Sequence, residues 1–540
     1  MKVLVVSEFT GLGSTGYSNY YKEICKALHG AGHEVIELAS YGDNNIREHI
    51  KYKRSCPWKV ILNVPLKSEV QDTQRFHEHE KAKGNAKFGA WAFEVIVAQE
   101  KPDVVLAVRD HWYDKFIVES PYAKYYVSLL ATTVDSMPQR GDWLSTFGKV
   151  DVLTTYNKWS EDWLRQQYSC HNLVEFISPS AADEFKVLDK NKCRAELGIP
   201  TDIKLVGTVM RNQKRKRFPE LFDAVSNTKD VWLYCHTAYP DKGWDIPTLL
   251  AQYNVQHRTY MTYMCPKCNN VKAMLYSTRY PLCDKCQNKM ETPSARRGVD
   301  NNMLCKIYNT MDMYIQPHVA EGFGIPVIEA AKCGIRVIST NYSAQEDVIP
   351  RVAGIPLEPL AIQNEIESGQ RRAVVDAVGL AKLLNDDSLY TYDRQHIVNT
   401  YNENYSWDKT GKKWVDLINS ITPKKNWHLK PDIKKPLSFD EISKLNLPNS
   451  EYILTCILYV AHDESLLGSH LHTELLDGLN AGYIILPQDD GLIVQIDRKF
   501  VYNRLRSIRE NINIWESQRE KIQKLQQKKS SSAQQKSNID

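Results

Sequence analysis

The sequence lacks several features that mark large classes of protein. No apolar run approaches the roughly twenty residues that cross a bilayer, and residues 1–14 lack the apolar run and cleavage site of a secretory signal. Neither charge sign dominates, because 69 basic and 65 acidic residues give a formal net charge of +4. This balance argues against general electrostatic binding to nucleic acid or to a membrane.

A disulfide framework is not indicated either. Of the twelve cysteines, four form two C-x-x-C pairs and eight are scattered singly. Scattered thiols without a targeting signal fit a reducing compartment, where paired thiols favour a metal. We therefore expect a cytoplasmic location.

What the sequence does contain is a repeated alternation of strand and helix signals. A chain of 540 residues is too long for one core. The alternation predicts parallel sheets covered by helices, in two tandem halves with a ligand cleft at the carboxyl ends of their strands. The predicted strands are 3–6, 33–38, 103–108, 127–134, 151–155 and 173–177 in the first half, and 203–209, 231–236, 313–316 and 336–340 in the second.

One motif combines two glutamates with a glycine turn and a short helix. Glu321 precedes Gly322-Phe323-Gly324, and Glu329 lies about one turn into the helix that follows. Glycines let backbone N–H groups approach an anion, and a helix N-terminus adds partial positive charge. Taken alone, the segment is also compatible with an ordinary turn and helix.

A second motif delivers cations to the end of a strand, at Arg211 and at Lys214 to Arg217. Arginine offers a bidentate fork and lysine a point charge, which together neutralise a diphosphate. A basic surface loop and a nucleic-acid patch are the alternative readings.

Together the two motifs resemble the signatures of the retaining family-4 (group 1) glycosyltransferases of the GT-B fold. The resemblance covers most of residues 1–421 and implies that Glu321 contacts the donor sugar and that Glu329 contacts the ribose. It places the backbone of Gly322, Phe323 and Gly324 near the donor sugar and phosphate. Arg211 and Lys216 match the family's five-residue spacing and would hold the diphosphate.

In the first half, the resemblance is weaker. Gly16 best matches the family glycine that opens the first helix and closes over the sugar donor, and Gly13 is the second choice. Many relatives carry a histidine after the fourth strand, but the matching stretch here holds Asp135, which would substitute unless the site is built differently. His111 is another cleft candidate, although a lone histidine is more often structural.

The paired cysteines predict a zinc ribbon. Cys265, Cys268, Cys283 and Cys286 have the spacing of two knuckles that place four thiolates around one ion. We expect the zinc to be structural, because the resemblance implies that transfer needs no metal. Contact of the ribbon with the acceptor or with nucleic acid is the alternative.

The predicted fold class is therefore α/β, with two facing Rossmann-like domains (GT-B), a zinc-ribbon insertion and an extra C-terminal α/β module. The predicted segments are an acceptor domain (1–200), a donor-binding domain (201–405, insertion 260–297), a returning helix (406–423), the module (424–515) and a polar, disordered tail (516–540).

The predicted function is retaining transfer of a hexose-type sugar from a nucleotide diphosphate sugar to an unknown acceptor, which is a glycan, a protein, a nucleic acid or a small molecule. A phosphorylase or epimerase on the same fold is one rival. The other is a catalytically weak binding protein that uses the ribbon and module to hold nucleic acid or protein.

Overall fold

The computed structural model describes residues 1–8, 16–40, 53–65, 70–169, 171–294, 297–424 and 427. The predicted tail, nearly all of the predicted C-terminal module, and Gly13 lie outside these described residues. None of the described helices is long and apolar enough to cross a membrane.

The first half is built on a six-stranded parallel sheet with strand order β3-β2-β1-β4-β5-β6. This is the strand order of doubly wound nucleotide-binding folds. Apolar side chains fill these strands almost continuously, as expected for a sheet covered on both faces. The strands are β1 (Lys2–Glu8), β2 (Glu34–Ser40), β3 (Lys59–Leu62), β4 (Val104–Val108), β5 (Val127–Thr132) and β6 (Val152–Thr155).

The second half has a seven-stranded sheet with order β10-β9-β8-β7-β11-β12-β13, in which only the edge strand β10 is antiparallel to its neighbour. A separate antiparallel hairpin follows it. The strands are β7 (Lys204–Val209), β8 (Val231–His236), β9 (Thr259–Met264), β10 (Val271–Leu275), β11 (Met313–Gln316), β12 (Arg336–Thr340), β13 (Ile355–Leu357), β14 (Ala361–Asn364) and β15 (Arg371–Val374).

The helices connect the strands in both halves, and several begin at a polar cap, such as Asp300, whose side chain accepts from the Met303 N–H. They are α1 (Gly16–Gly30), α2 (Val70–Lys83), α3 (Ala90–Glu100), α4 (Lys115–Glu119), α5 (Gly141–Lys149), α6 (Lys158–Gln167), α7 (Lys190–Leu197), α8 (Phe218–Ser226), α9 (Ile246–Gln252), α10 (Asn301–Asn309), α11 (Ile325–Lys332), α12 (Ala344–Val348), α13 (Ala377–Leu384), α14 (Arg394–Asn404) and α15 (Trp407–Ser420).

The last described helix packs back onto the first half. In α15, Trp414 is fully buried and its Nε1 donates to the Tyr20 hydroxyl of α1 at 3.1 Å. Thr410 donates to the Ser178 carbonyl at 2.9 Å. These contacts attach α15 to the first half. Other contacts, such as that of Asn157 with the Gly322 carbonyl, join the two halves, with the carboxyl ends of their strands bordering one cleft.

One predicted strand was wrong. Within 173–177, only Leu173 forms an isolated parallel bridge, to Leu153 of β6. The Val174 N–H bonds to the Leu153 carbonyl and the Ile177 N–H to the Thr155 carbonyl, each at 2.9 Å. Between these two bonds, the 173–177 segment advances by three residues while β6 advances by two. The extra residue interrupts the ladder.

Candidate active site

The glycine turn lies between β11 and α11, at the carboxyl edge of the second sheet. Gly324 has φ +89°, a left-handed conformation that favours glycine. A Cβ added there would lie 2.5 Å from Nε2 of Gln345. That amide donates to the Phe323 carbonyl at 2.5 Å. The turn is thus held from behind, and α11 begins at the next residue, Ile325.

Glu321 is buried and carries two cationic partners. Its Oε1 lies 2.8 Å from Nη1 of Arg215 and also pairs with the ammonium group of Lys216. Ser343 fixes the backbone of Glu321 in two ways, by accepting from its N–H at 2.9 Å and donating to its carbonyl at 3.0 Å. The glutamate therefore offsets the charge of both cations.

Glu329 lies in α11 and is also buried. Its Oε2 accepts a hydrogen bond from the Tyr308 hydroxyl at 2.8 Å. Burial raises the pKa of the Glu329 carboxyl to about 7, although the Tyr308 hydrogen bond opposes this shift. A carboxyl at this pKa changes charge near neutral pH.

The two predicted cations have different surroundings. Lys216 is buried at Glu321, whereas the Arg211 side chain is about half exposed and its Nε bonds Oδ2 of Asp241 at 3.1 Å. Arg215, which the cation motif includes without an assigned role, makes the second contact to Glu321. Lys216 is also in an antiparallel bridge with His318, whose buried ring nitrogens have no hydrogen-bond partner among the described residues.

The first half approaches this turn closely at two glycines. A Cβ on Gly322 would lie 2.6 Å from Cβ of Thr133, and one on Gly16 would lie 2.9 Å from Cδ1 of Ile325. Asn157 also donates to the Gly322 carbonyl at 2.8 Å. The first turns of α1 and α11 therefore lie side by side, with both positive helix ends at the cleft.

Asp135 lies on the first-half side of the cleft and is held by the second half. Its Oδ1 lies 3.3 Å from Nη1 of Arg372 in β15, and the same nitrogen donates to Ser136 at 2.8 Å. The hairpin β14–β15 thus crosses to the first half, where the Arg371 N–H also bonds the Met137 carbonyl at 2.8 Å.

The structure adds Asp110, which sequence analysis did not select. Its carboxylate accepts from the Thr133 hydroxyl and, at 3.3 Å, from the Tyr17 hydroxyl. Burial raises its pKa to about 6, with Asp135 adding to the rise and Arg215 opposing it. The position after β4 was a usable signal, because polar residues at the carboxyl end of a parallel strand border the cleft.

His111, beside Asp110, has the surroundings of a core residue. It is 2% exposed, and its ring packs edge-on against Trp143 and Phe147 at centroid distances of 5.0 and 4.6 Å. Burial lowers its pKa to about 4. A neutral imidazole among aromatic rings fits the structural reading.

The four paired cysteines converge. Their sulfur atoms all lie within 4.8 Å of one another, with Sγ–Sγ distances of 3.3 Å (Cys265–Cys286), 3.5 Å (Cys268–Cys283) and 3.6 Å (Cys268–Cys286). Four thiolates at about 2.3 Å from one zinc ion would be about 3.8 Å apart. The cluster therefore has the size of a tetrahedral zinc site.

The two cysteine turns also share one backbone pattern. In the first, the Cys265 N–H bonds the Asn270 carbonyl, and in the second the Cys283 N–H bonds the Asn288 carbonyl, both at 2.8 Å. The residue after each second cysteine is left-handed, with φ 56° at Asn269 and 59° at Gln287. The two cysteine pairs therefore lie in equivalent turns.

Comparison with known proteins agrees with this arrangement. Residues 297–357, which include both glutamates, match the family model described as glycosyl transferases group 1. The serotype-specific mannosyltransferase WbdA of Escherichia coli is 27% identical over 113 residues, which are 21% of this chain. The match spans only 12% of that relative's length.

Solved structures share the fold at low sequence identity. Sucrose-phosphate synthase from Thermosynechococcus elongatus superposes with a TM-score of 0.54 at 16% identity, covering 78% of this chain and 98% of that one. Anabaena Alr3699/HepE in complex with UDP-glucose gives 0.51 at 13% identity, covering 78% and 100%. The predicted fold of two Rossmann-like domains is confirmed: the chain has the GT-B fold, and its second half carries the segment shared by group 1 glycosyl transferases.

Proposed function

We propose that this protein is a glycosyltransferase that moves a hexose from a nucleoside diphosphate sugar to an acceptor with retention of anomeric configuration. The observation that carries the proposal is the contact of the buried Glu321 with Lys216 and Arg215, beside the adjoining first turns of α1 and α11. The solved complex of Alr3699/HepE with UDP-glucose supports a nucleotide-sugar ligand for this fold.

In the proposed mechanism, the diphosphate draws Lys216 and Arg215 from Glu321, and Arg211 adds a third cation. Glu321 is then available to accept hydrogen bonds from the donor sugar, and Glu329 accepts from the ribose hydroxyls. The backbone of the glycine turn and the N-terminus of α11 stabilise the phosphate charge. The turn backbone and the helix N-terminus are preorganised where negative charge develops on the leaving group.

The acceptor hydroxyl attacks the anomeric carbon on the face from which the diphosphate leaves. As the bond from carbon to phosphate oxygen breaks, that oxygen takes the acceptor's proton, so no protein base is required. The cations supply the charge stabilisation, and we propose that transfer needs no metal. Asp135 and Gly16 border the sugar donor from the first half.

We also propose the domain division, with an acceptor domain at 1–200 and a donor-binding domain at 201–405, followed by the returning helix (406–423). The cysteine cluster would hold one structural zinc through Cys265, Cys268, Cys283 and Cys286. Bound there, zinc supplies a cross-link that folds the insert, with no part in the chemistry.

The test is calorimetry with UDP, GDP and ADP and their hexose conjugates. We expect at least one pair to bind the wild-type protein and the Lys216→Ala variant to bind it at least tenfold more weakly. Lys214→Ala is the matched control, because Lys214 is an exposed lysine of the same segment. Equal binding by all three proteins would contradict the proposed site, and no binding by any would favour the binding-protein rival.

A further inference from the structure

The segment that carries the four cysteines begins at the carboxyl edge of the second sheet, the edge that borders the cleft. Strand β9 is parallel to β8, with Cys235 opposite Met261, so both strands end at the same edge. Strand β9 ends at Met264, and the next residue is Cys265, the first cysteine of the four-cysteine cluster. We call residues 265–294 the cysteine insert.

A second segment at this edge connects the insert to the cations. Residues 237–245 follow β8, and we call them the bridging loop. On the insert side, the Thr292 hydroxyl donates to the Tyr239 carbonyl at 2.6 Å and accepts from the Tyr239 N–H at 3.3 Å. One side chain thus satisfies both backbone groups of one loop residue.

Thr292 is itself placed by the cysteine turns. The residue before it, Glu291, exchanges two backbone hydrogen bonds with Met264, at 2.7 and 2.9 Å. Met290 is fully buried and its N–H bonds the Pro281 carbonyl at 2.8 Å, two residues before Cys283. The second cysteine turn and the end of β9 therefore set the position of Thr292.

On its other side, the bridging loop contacts the segment that carries Arg211 and Lys216. The Trp244 indole N–H donates to the Lys216 carbonyl at 2.7 Å. Asn212 accepts from the Trp244 N–H at 2.7 Å and donates to the Trp244 carbonyl at 2.8 Å. Asp241 of the loop bonds Arg211.

The fit between loop and cations leaves little space. A Cβ on Gly243 would lie 2.3 Å from Oδ1 of Asn212, and the Arg217 guanidinium lies 4.9 Å from the centroid of the Trp244 ring. The loop therefore packs tightly against the segment that carries Arg211 and Lys216.

We infer that the cysteine insert is a positioning element of the sugar-donor site, which acts through the Thr292–Tyr239 contact on the bridging loop and through that loop on Arg211 and Lys216. The inference rests in part on the proposed function, since it assigns Arg211 and Lys216 to a diphosphate. It makes binding of the diphosphate depend on a metal that never touches it. Thr292 is a positioning residue and not a catalytic one.

The experiment compares Thr292→Val with Thr292→Ser in the full chain. Valine has nearly the shape of threonine but lacks the hydroxyl, whereas serine retains it. We expect both variants to keep the metal content and thermal stability of the wild type. Thr292→Val should bind the nucleoside diphosphate at least threefold more weakly, and Thr292→Ser should bind it within twofold of the wild type.

Hydrogen exchange measured by mass spectrometry gives a second readout that does not depend on any ligand. Peptides covering 237–245 should exchange faster in Thr292→Val and in wild-type protein stripped of metal by a chelator, and at the wild-type rate in Thr292→Ser.

Unchanged exchange and unchanged affinity in Thr292→Val would overturn the inference. Loss of metal from that variant would also overturn it, because the hydroxyl would then serve the insert itself. If the wild-type protein binds no nucleoside diphosphate, the proposed function fails, and the exchange measurement still decides whether the insert controls the loop.

Discussion

The raised pKa of Glu329 predicts a proton-linked affinity for nucleotide. In the free protein, the carboxyl has a pKa of about 7 because it is buried. Ribose hydroxyls that donate to this group favour its charged form and so lower its pKa in the complex. Binding must then release a proton near neutral pH, and affinity must fall as the pH falls through about 7.

The size of the effect follows from the pKa. The protonated fraction of the free protein must lose its proton before it binds. The apparent Kd therefore exceeds that of the fully ionised protein by a factor of about 11 at pH 6 and only about 1.1 at pH 8. Between about pH 8 and about pH 6, the nucleoside diphosphate should therefore bind about tenfold more weakly, or by about 1.4 kcal/mol. The size of this change in affinity is limited by how far binding lowers the pKa of the Glu329 carboxyl.

Calorimetry in buffers of different ionisation enthalpy measures both the affinity and the protons released. Glu329→Gln is the matched control, since it retains shape and polarity but does not titrate. It should show only the pH dependence that comes from the ligand's own phosphate and from groups such as Asp110. The reasoning is refuted if wild type and Glu329→Gln show the same pH dependence, or if the wild type releases no more protons on binding than Glu329→Gln does.

Three further predictions follow from the site. Glu321→Gln should bind the nucleoside diphosphate at least as tightly as the wild type does but lose transfer by about 100-fold or more, measured as kcat; equal losses of binding and turnover would contradict its assignment to the sugar. Gly322→Ala should lower kcat/KM because its Cβ would overlap Thr133, and adding Thr133→Gly should restore part of the loss. No loss in the single variant would contradict the close approach of Thr133 to Gly322. Purified protein should contain one zinc per chain, and a chelator should lower its Tm; metal-free protein with four titratable thiols would contradict the cysteine site.

Much of the fold was predictable because its signals are local. Buried parallel strands are continuous apolar runs, and β8 and β11 have the predicted bounds. The short edge strand β3 and the hairpin β14–β15 were not predicted, because exposed or half-exposed edge strands lack that signal. The joining of β9 and β10 to the main sheet was also missed, because the cysteine spacing indicates a small separate ribbon.

The site was predictable only where one segment carries it. Glu321, Glu329 and Lys216 lie in two short motifs, and the structure buries all three. The partners Thr133 and Arg372 could not be selected, because each contact joins residues far apart in the chain. Arg215 was part of the cation motif, but its contact with Glu321 could not be read from it. The spacing of Arg211 and Lys216 likewise gives no sign that one is exposed and the other buried.

The central claim, retaining transfer from a nucleotide sugar, is tested most directly by following the donor sugar itself. Proton NMR can monitor the purified protein with each nucleotide hexose bound in calorimetry, first without an acceptor and then with candidate acceptors. We predict slow consumption of at least one donor, with the product first appearing in the donor's anomeric configuration, and no consumption by Lys216→Ala. First appearance of the opposite anomer would contradict retention, and no consumption of any donor under either condition would contradict the enzyme.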